Sequence, residues 1–157
     1  MSLGKQAKTL SADQIQMVDR LVCSTRRSAR NRAILLLSVR AGLRAHEIAH
    51  LTWSMVLDAS GSISDCLRLE NRASKGTSGR VVPLSSDLRS ALEAWRAEQA
   101  SGAKYVVTTE RSPRTSSQAI VNMFFRWYSE LGFVGCSSHS GRRTFITQTS
   151  SGEDEVL

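Results

Sequence analysis

The stretch GLRAHEIAHLTW fills residues 42–53, and two readings of it lead to different proteins. Taken from its middle, His46, Glu47 and His50 match the pattern H-E-x-x-H. Helical spacing would set both histidines on one face to bind zinc, with Glu47 as the base of a metalloprotease. Three fixed residues make a small pattern, and no longer metzincin pattern follows it. The chain holds only three histidines, so a third histidine ligand could only be His139. The simpler expectation is two partly exposed histidines on a helix that bind no metal. Taken from its left end, the stretch begins where an apolar helix stops: NRAILLLSVRAG, residues 31–42, is apolar nearly all round, as a central buried helix is, and Gly42 suits the position after its last turn.

Outward from this centre the chain reads as a mainly helical α+β domain with one small antiparallel sheet. Ser11 and Gln14 form a capping box ahead of a helix whose apolar face is Ile15, Val18, Leu21 and Val22. STRRSARNR, residues 24–32, reads as a basic polar connection. Beyond Trp53 the period changes. SISDCLRLE and GRVVPL read as the two strands of a hairpin at about residues 63–84, with the basic NRASKGTS at its tip and Pro83 ending the second strand. Leu88, Ala91, Leu92 and Trp95 then stripe one helix, and Ile120, Met123, Phe124, Trp127 and Leu131 stripe another. KYVVTTE between them suggests a short strand, RSPRTSS a basic loop, and SSHSGRRTF, residues 137–145, the start of a last helix.

Composition narrows the class. The 157 residues suit one domain with one core. The net charge of +7, mostly arginine, favours a polyanionic partner, nucleic acid before acidic membrane. The longest apolar run, AILLLSV, is too short to span a bilayer, and no amphipathic helix is free of core duties, so no membrane partner is expected. Three widely spaced cysteines, Cys23, Cys66 and Cys136, describe no disulfide framework and suit a reducing cytoplasm.

Three segments, in order, carry a resemblance. Gly42, Leu43, Arg44, Glu47, Leu51 and Trp53 resemble the first arginine segment of the tyrosine recombinases, the phage-integrase family. RASKGTSGRVVPLS resembles that family's hairpin, with Lys75 in the turn and Arg80 opening the second strand. His139 and Arg142, followed by Thr144 and Phe145, resemble its His-x-x-Arg box, although Ser140 and Arg143 stand where the commoner version has an acidic residue and a second histidine. The resemblance runs from about Ser11 to about Thr147. It implies an integrase catalytic domain over 11–147, between a leader at 1–10 and a polar acidic tail at 148–157.

The resemblance further implies site-specific recombination of double-stranded DNA through a phosphotyrosyl intermediate, with no metal, ATP or other cofactor. Arg44 and Arg142 would clamp the phosphate, Lys75 would be the general acid, and His139 the general base or a phosphate hydrogen-bond partner. Glu47 would support Arg44, and Arg72, Arg80, Arg111, Arg114 and Arg143 would bind DNA. The family's tyrosine follows the box on a further helical stretch. Here 157 − 142 leaves 15 residues after Arg142, none of them Tyr, His or Trp. The expectation is therefore an incomplete catalytic domain that binds DNA without a nucleophile of its own and associates with itself or with a full-length recombinase. A non-enzymatic DNA-binding remnant or regulator is the alternative.

Overall fold

A computed structural model of the chain describes residues 6–70 and 79–151. The hairpin tip NRASKGTS, and with it Arg72 and Lys75, lies outside the described residues. Six helices and a two-stranded sheet are described. They are α1 (Ala12–Cys23), α2 (Ser28–Val39), α3 (Ala45–His50), β1 (Cys66–Leu69), β2 (Arg80–Pro83), α4 (Ser86–Glu98), α5 (Ser117–Glu130) and α6 (Ser138–Ser151).

Local chemistry explains the boundaries. Ser11 Oγ accepts from the Gln14 amide while the Gln14 side chain accepts from the Ser11 amide, so two of the orphan donors of α1 are satisfied. Ser85 and Ser116 cap α4 and α5 in the same sense, accepting from Leu88 and Ala119. β1 and β2 pair antiparallel, Cys66 opposite Pro83 and Leu69 opposite Arg80, which places Pro83 at the strand end as expected. The KYVVTTE expectation needs correction. The segment forms one isolated bridge, Thr52 to Tyr105, flanked by bonds from the Trp53 amide to the Lys104 carbonyl and from the Val106 amide to the Leu51 carbonyl. Its partner turns into a single 3-10 turn at Trp53–Met55, so pairing stops after one rung.

α2 is the hub. Residues Ala33 to Val39 are all buried, and the helix packs against α1, α4 and α6. Its start also differs from expectation. The basic stretch at 24–32 is partly helical, and Arg30 and Asn31 are buried there. Arg30 donates to the Thr108 carbonyl at 3.1 Å, and the Asn31 amide donates to Thr25 Oγ1 at 2.9 Å. These partners satisfy the Asn31 side chain and part of the Arg30 guanidinium, which burial would otherwise penalise.

Two glycines bring α6 onto the hub. Gly42 has φ +69°, and a Cβ there would come within 2.5 Å of Phe145. At Gly141 a Cβ would overlap the Ser38 hydroxyl and reach 3.0 Å from the Ser38 carbonyl carbon. Gly141→Ala is expected to destabilise the protein by about 1–3 kcal/mol through overpacking, with partial recovery on adding Ser38→Ala. The recovery follows because Ser38 Oγ is buried without a partner among the described residues. Thermal melts of the single and double variants check this. Beyond Gly141, Thr144 is buried and Ile146 is exposed, and no residue from 145 to 150 is buried. A groove of about 770 Å³, walled in part by Val39, Pro83, Leu84 and Phe145, runs beside this end of the helix.

Candidate phosphate-binding site

The elements around Gly42 set the site. Because α2 ends there, Arg44 falls at the start of α3, and Glu47 three residues on turns back so that one carboxylate oxygen accepts from the Arg44 amide at 2.9 Å. Glu47 is fully buried. Arg80, the first residue of β2, grips it with two bonds, Nη1 to Oε2 at 2.7 Å and Nη2 to Oε1 at 2.9 Å. Such a paired fork is the strong form of a charge-assisted hydrogen bond. The Arg44 guanidinium adds a longer contact of 3.7 Å to Oε2. Burial pushes the Glu47 carboxyl up, yet Arg80, the Arg44 amide and the two guanidinium charges outweigh it and hold it below the usual carboxylate range.

α6 brings the third guanidinium. Arg142 Nη1 donates to the Gly42 carbonyl at 2.8 Å, so the turn that positions Arg44 also fixes Arg142. Burial lowers the Arg142 pKa, and the Arg44 and Arg80 charges lower it further, opposed by Glu47. Arg44, Arg80 and Arg142 therefore share one carboxylate, which leaves local positive charge in excess. Arg44, His139, Arg142 and Arg143 line a cavity of about 360 Å³ together with Gln6, Ala7, Ser137 and Ile146. Arg143 Nη1 also donates to Gln6 at 2.9 Å. An excess of fixed guanidinium charge around an open cavity suits an anion with several oxygens.

The structure thus brings Arg44, His139, Arg142 and Arg143 together and ties Glu47 and Arg80 in behind them. It sets Arg111 and Arg114 elsewhere. Arg111 lines a separate cavity with Arg26 and Arg27, and Arg114 lies over the Tyr105 ring at 5.3 Å. The bidentate hold of Arg80 on Glu47 joins residues 33 apart, and no local pattern signals it.

The histidine pair of the zinc reading makes contacts with its own helix and with α5. The rings of His46 and His50 lie 4.1 Å apart, His50 Nδ1 is 2.8 Å from the His46 carbonyl, and His46 Nδ1 is 3.3 Å from Ser117 Oγ. Glu47 is committed to Arg80 and unavailable as a base. Both tyrosines lie outside the cavity lining. Tyr128 is 1% exposed, and burial, with Cys136 beside it, pushes its phenol well above the ordinary range. Tyr105 sits in the isolated bridge to Thr52, with Lys104 Nζ 5.5 Å and the Arg114 guanidinium 5.3 Å from its ring centroid.

The Glu47 pair gives stability a pH dependence of known sign. A carboxyl held low in the fold stabilises above its unfolded pKa, about 4.3, and that stability is lost as pH falls through the folded value. Asp87, held low by Ser85 and Arg40 against its burial, acts in the same direction. The melting temperature is expected to fall as pH drops below about 4, and by less in Glu47→Gln, as pH-resolved melts would show.

Comparisons with known proteins agree on one family. The sequence profile of the phage integrase family matches residues 8–152. Tyrosine recombinase XerC of Xylella fastidiosa (strain 9a5c) is 35% identical over 107 residues, which are 68% of this chain and 34% of that protein. Among solved structures, the chain is similar to XerA recombinase, at 20% identity and a TM-score of 0.72 over 92% of this chain and 51% of that one. It is also similar to the XerH site-specific recombinase bound to difH substrate in a pre-cleavage complex. There the identity is 16% and the TM-score 0.72, over 95% of this chain and 44% of that one. At these identities the structural likeness speaks for the mainly helical fold with its small antiparallel sheet. The chain spans about a third of the length of the curated relative.

Proposed function

The chain belongs to the phage integrase family, and from that premise we propose that its cleft is the phosphate clamp of a site-specific DNA recombinase catalytic domain, over residues 11–147. The single observation that carries this reading is that Arg44, His139 and Arg142, separated by about a hundred residues, line one cavity. In-line attack by a tyrosine on a backbone phosphate gathers charge on the nonbridging oxygens. Arg44 and Arg142 meet that charge with fixed forks and no reorganisation. His139 takes the proton of the attacking phenol. Lys75, assigned by the likeness of its hairpin, gives a proton to the 5′-oxygen as the P–O5′ bond breaks. Glu47 and Arg80 hold Arg44 in place. Arg143 reaches the flanking phosphates, with Arg111 and Arg114 further out along the DNA, and Arg72 is assigned to DNA binding by the likeness of its hairpin.

Tyr128 is buried and Tyr105 is engaged at the surface, so neither serves as nucleophile. These 157 residues are expected to act in the cytoplasm and to bind double-stranded DNA, as the XerH recombinase is bound to its difH substrate, together with further copies or with a full-length recombinase.

Incubating the chain with a nicked duplex tests this. Expected are a complex that salt dissociates and no denaturant-resistant adduct on this chain, with or without an added full-length recombinase, which still forms one through its own tyrosine. An adduct on this chain alone would reinstate Tyr105 or Tyr128. Failure to bind any duplex at low salt would remove the recombinase reading.

A further inference from the structure

A second concentration of positive charge lies at the opposite end of α2. Arg30 and Gly42 are separated by most of that helix, on the order of 15 Å at 1.5 Å per residue. Two adjoining cavities meet there. One, of about 350 Å³, is lined by Arg26, Arg27, Arg30 and Arg126 with Trp127 and Glu130 among others. The other, of about 340 Å³, is lined by Arg26, Arg27, Thr109, Glu110 and Arg111. Five arginines face two carboxylates.

Arg30 is the unusual member. It is 9% exposed, and it is held rigidly, Nε and Nη2 donating to Asn31 Oδ1 at 3.1 and 2.9 Å and Nη1 to the Thr108 carbonyl at 3.1 Å. Five N–H donors less these three leaves two unspent. Neither Arg30 nor Arg126 forms an ion pair among the described residues. Burial, with Arg27 adding to it, lowers the Arg30 pKa to about 10, so it stays a cation at neutral pH without a carboxylate of its own. Isolated buried charge is costly unless a counter-charge arrives. Glu110 already sits on the outer pair, 2.9 Å from Arg26 and 3.9 Å from Arg27. Arg27 is steadied by the Trp95 ring at 5.6 Å.

We propose that this groove binds a phosphodiester of the DNA backbone, remote from the scissile phosphate, with Arg26, Arg27 and Arg126 gripping it above the fixed Arg30. Two basins that share Arg26 and Arg27 suit a ligand with successive anionic groups better than a single ion. Planar guanidinium forks match phosphate oxygens. Glu110 holds the outer arginines in the absence of DNA and yields them when a phosphate enters. The proposal rests on the DNA-binding reading above and adds a contact that the active-site cleft does not need.

The test is binding of a short duplex to the full 157-residue chain over a series of salt concentrations. The unsubstituted chain is compared with an Arg27→Ala/Arg126→Ala double variant and with Glu110→Gln. The double variant should bind about tenfold more weakly whatever the sequence, with the slope of log K on log salt reduced by roughly one per lost phosphate. Glu110→Gln, which removes a competing carboxylate and leaves every arginine, should bind more tightly, and it decides the question should the double variant melt early. An unsubstituted chain that binds while both variants match it in affinity and slope overturns the groove and leaves the cleft reading intact. Failure of the unsubstituted chain to bind at all overturns both. Polyglutamate held through Arg27 and Arg126 with duplex binding unaltered would overturn the phosphodiester in favour of an acidic protein segment.

Discussion

Replacing Glu47 by alanine is expected to cost about 3 kcal/mol, the low end of the range for removing one partner of a buried ion pair, because the carboxylate is buried while the Arg80 and Arg44 side chains stay partly exposed. The carboxylate is fully buried and serves three groups: two bonds from Arg80, one from the Arg44 amide and a longer contact to the Arg44 guanidinium. Without it, Arg44, Arg80 and Arg142 face one another with no counter-charge, and the first turn of α3 loses its amide acceptor. Glu47→Gln keeps the shape and one acceptor but not the charge, so it should fall between. The cost should shrink when phosphate or duplex DNA is added, because an anion in the cleft takes over part of the neutralisation. Denaturant unfolding of the three proteins, with and without added phosphate, reads all of this. A variant within about 1 kcal/mol of the parent, the level of an exposed pair, would mean that the buried carboxylate does not hold the arginines together.

That carboxylate also marks the limit of what the sequence discloses. Helices announce themselves through stripes that repeat within a few residues: Ile15, Val18 and Val22, or Leu88, Ala91, Leu92 and Trp95, are buried as their spacing predicts. The capping box at Ser11 and the proline that ends β2 are equally local, and both are where expected. The convergence of Arg44, His139 and Arg142 was legible only through resemblance, since nothing in the spacing of these residues says that α6 crosses α2 beside Gly42. The pairing of Arg80 with Glu47 and the burial of Arg30 against Thr108 were not legible. In each case a charged residue in a polar stretch is paired or buried by a partner 33 or 78 residues away. A strand assigned to KYVVTTE failed for a related reason. Its valines are buried as a strand's would be, but the segment opposite turns away after one rung.

Duplex binding itself should show the largest effect. The chain carries +7 formal charge, and six of its arginines form two groups, the cleft with Arg44, Arg142 and Arg143 and the groove with Arg26, Arg27 and Arg126. If these groups and the other basic residues assigned to DNA together neutralise about six phosphates, a slope near −0.9 per phosphate makes affinity drop about a thousandfold between about 50 and about 200 mM salt. The drop should be nearly the same for unrelated sequences, because guanidinium contacts to phosphate carry no base information. Removing Arg44 and Arg142 together, which clamp one phosphate, should weaken binding and flatten the slope by roughly one, whereas a single Arg44→Lys keeps the charge and should leave the slope unchanged. The lysine variant differs from the parent only where a planar fork matters, at a phosphate held by two parallel bonds. Equal binding of the lysine variant and the parent to an intact duplex, with weaker binding of the variant to a vanadate-bridged nick, would mark the cleft as built for the five-coordinate phosphorus of strand transfer. A salt response as shallow as that of a single contact would mean instead that the basic surface does not track DNA.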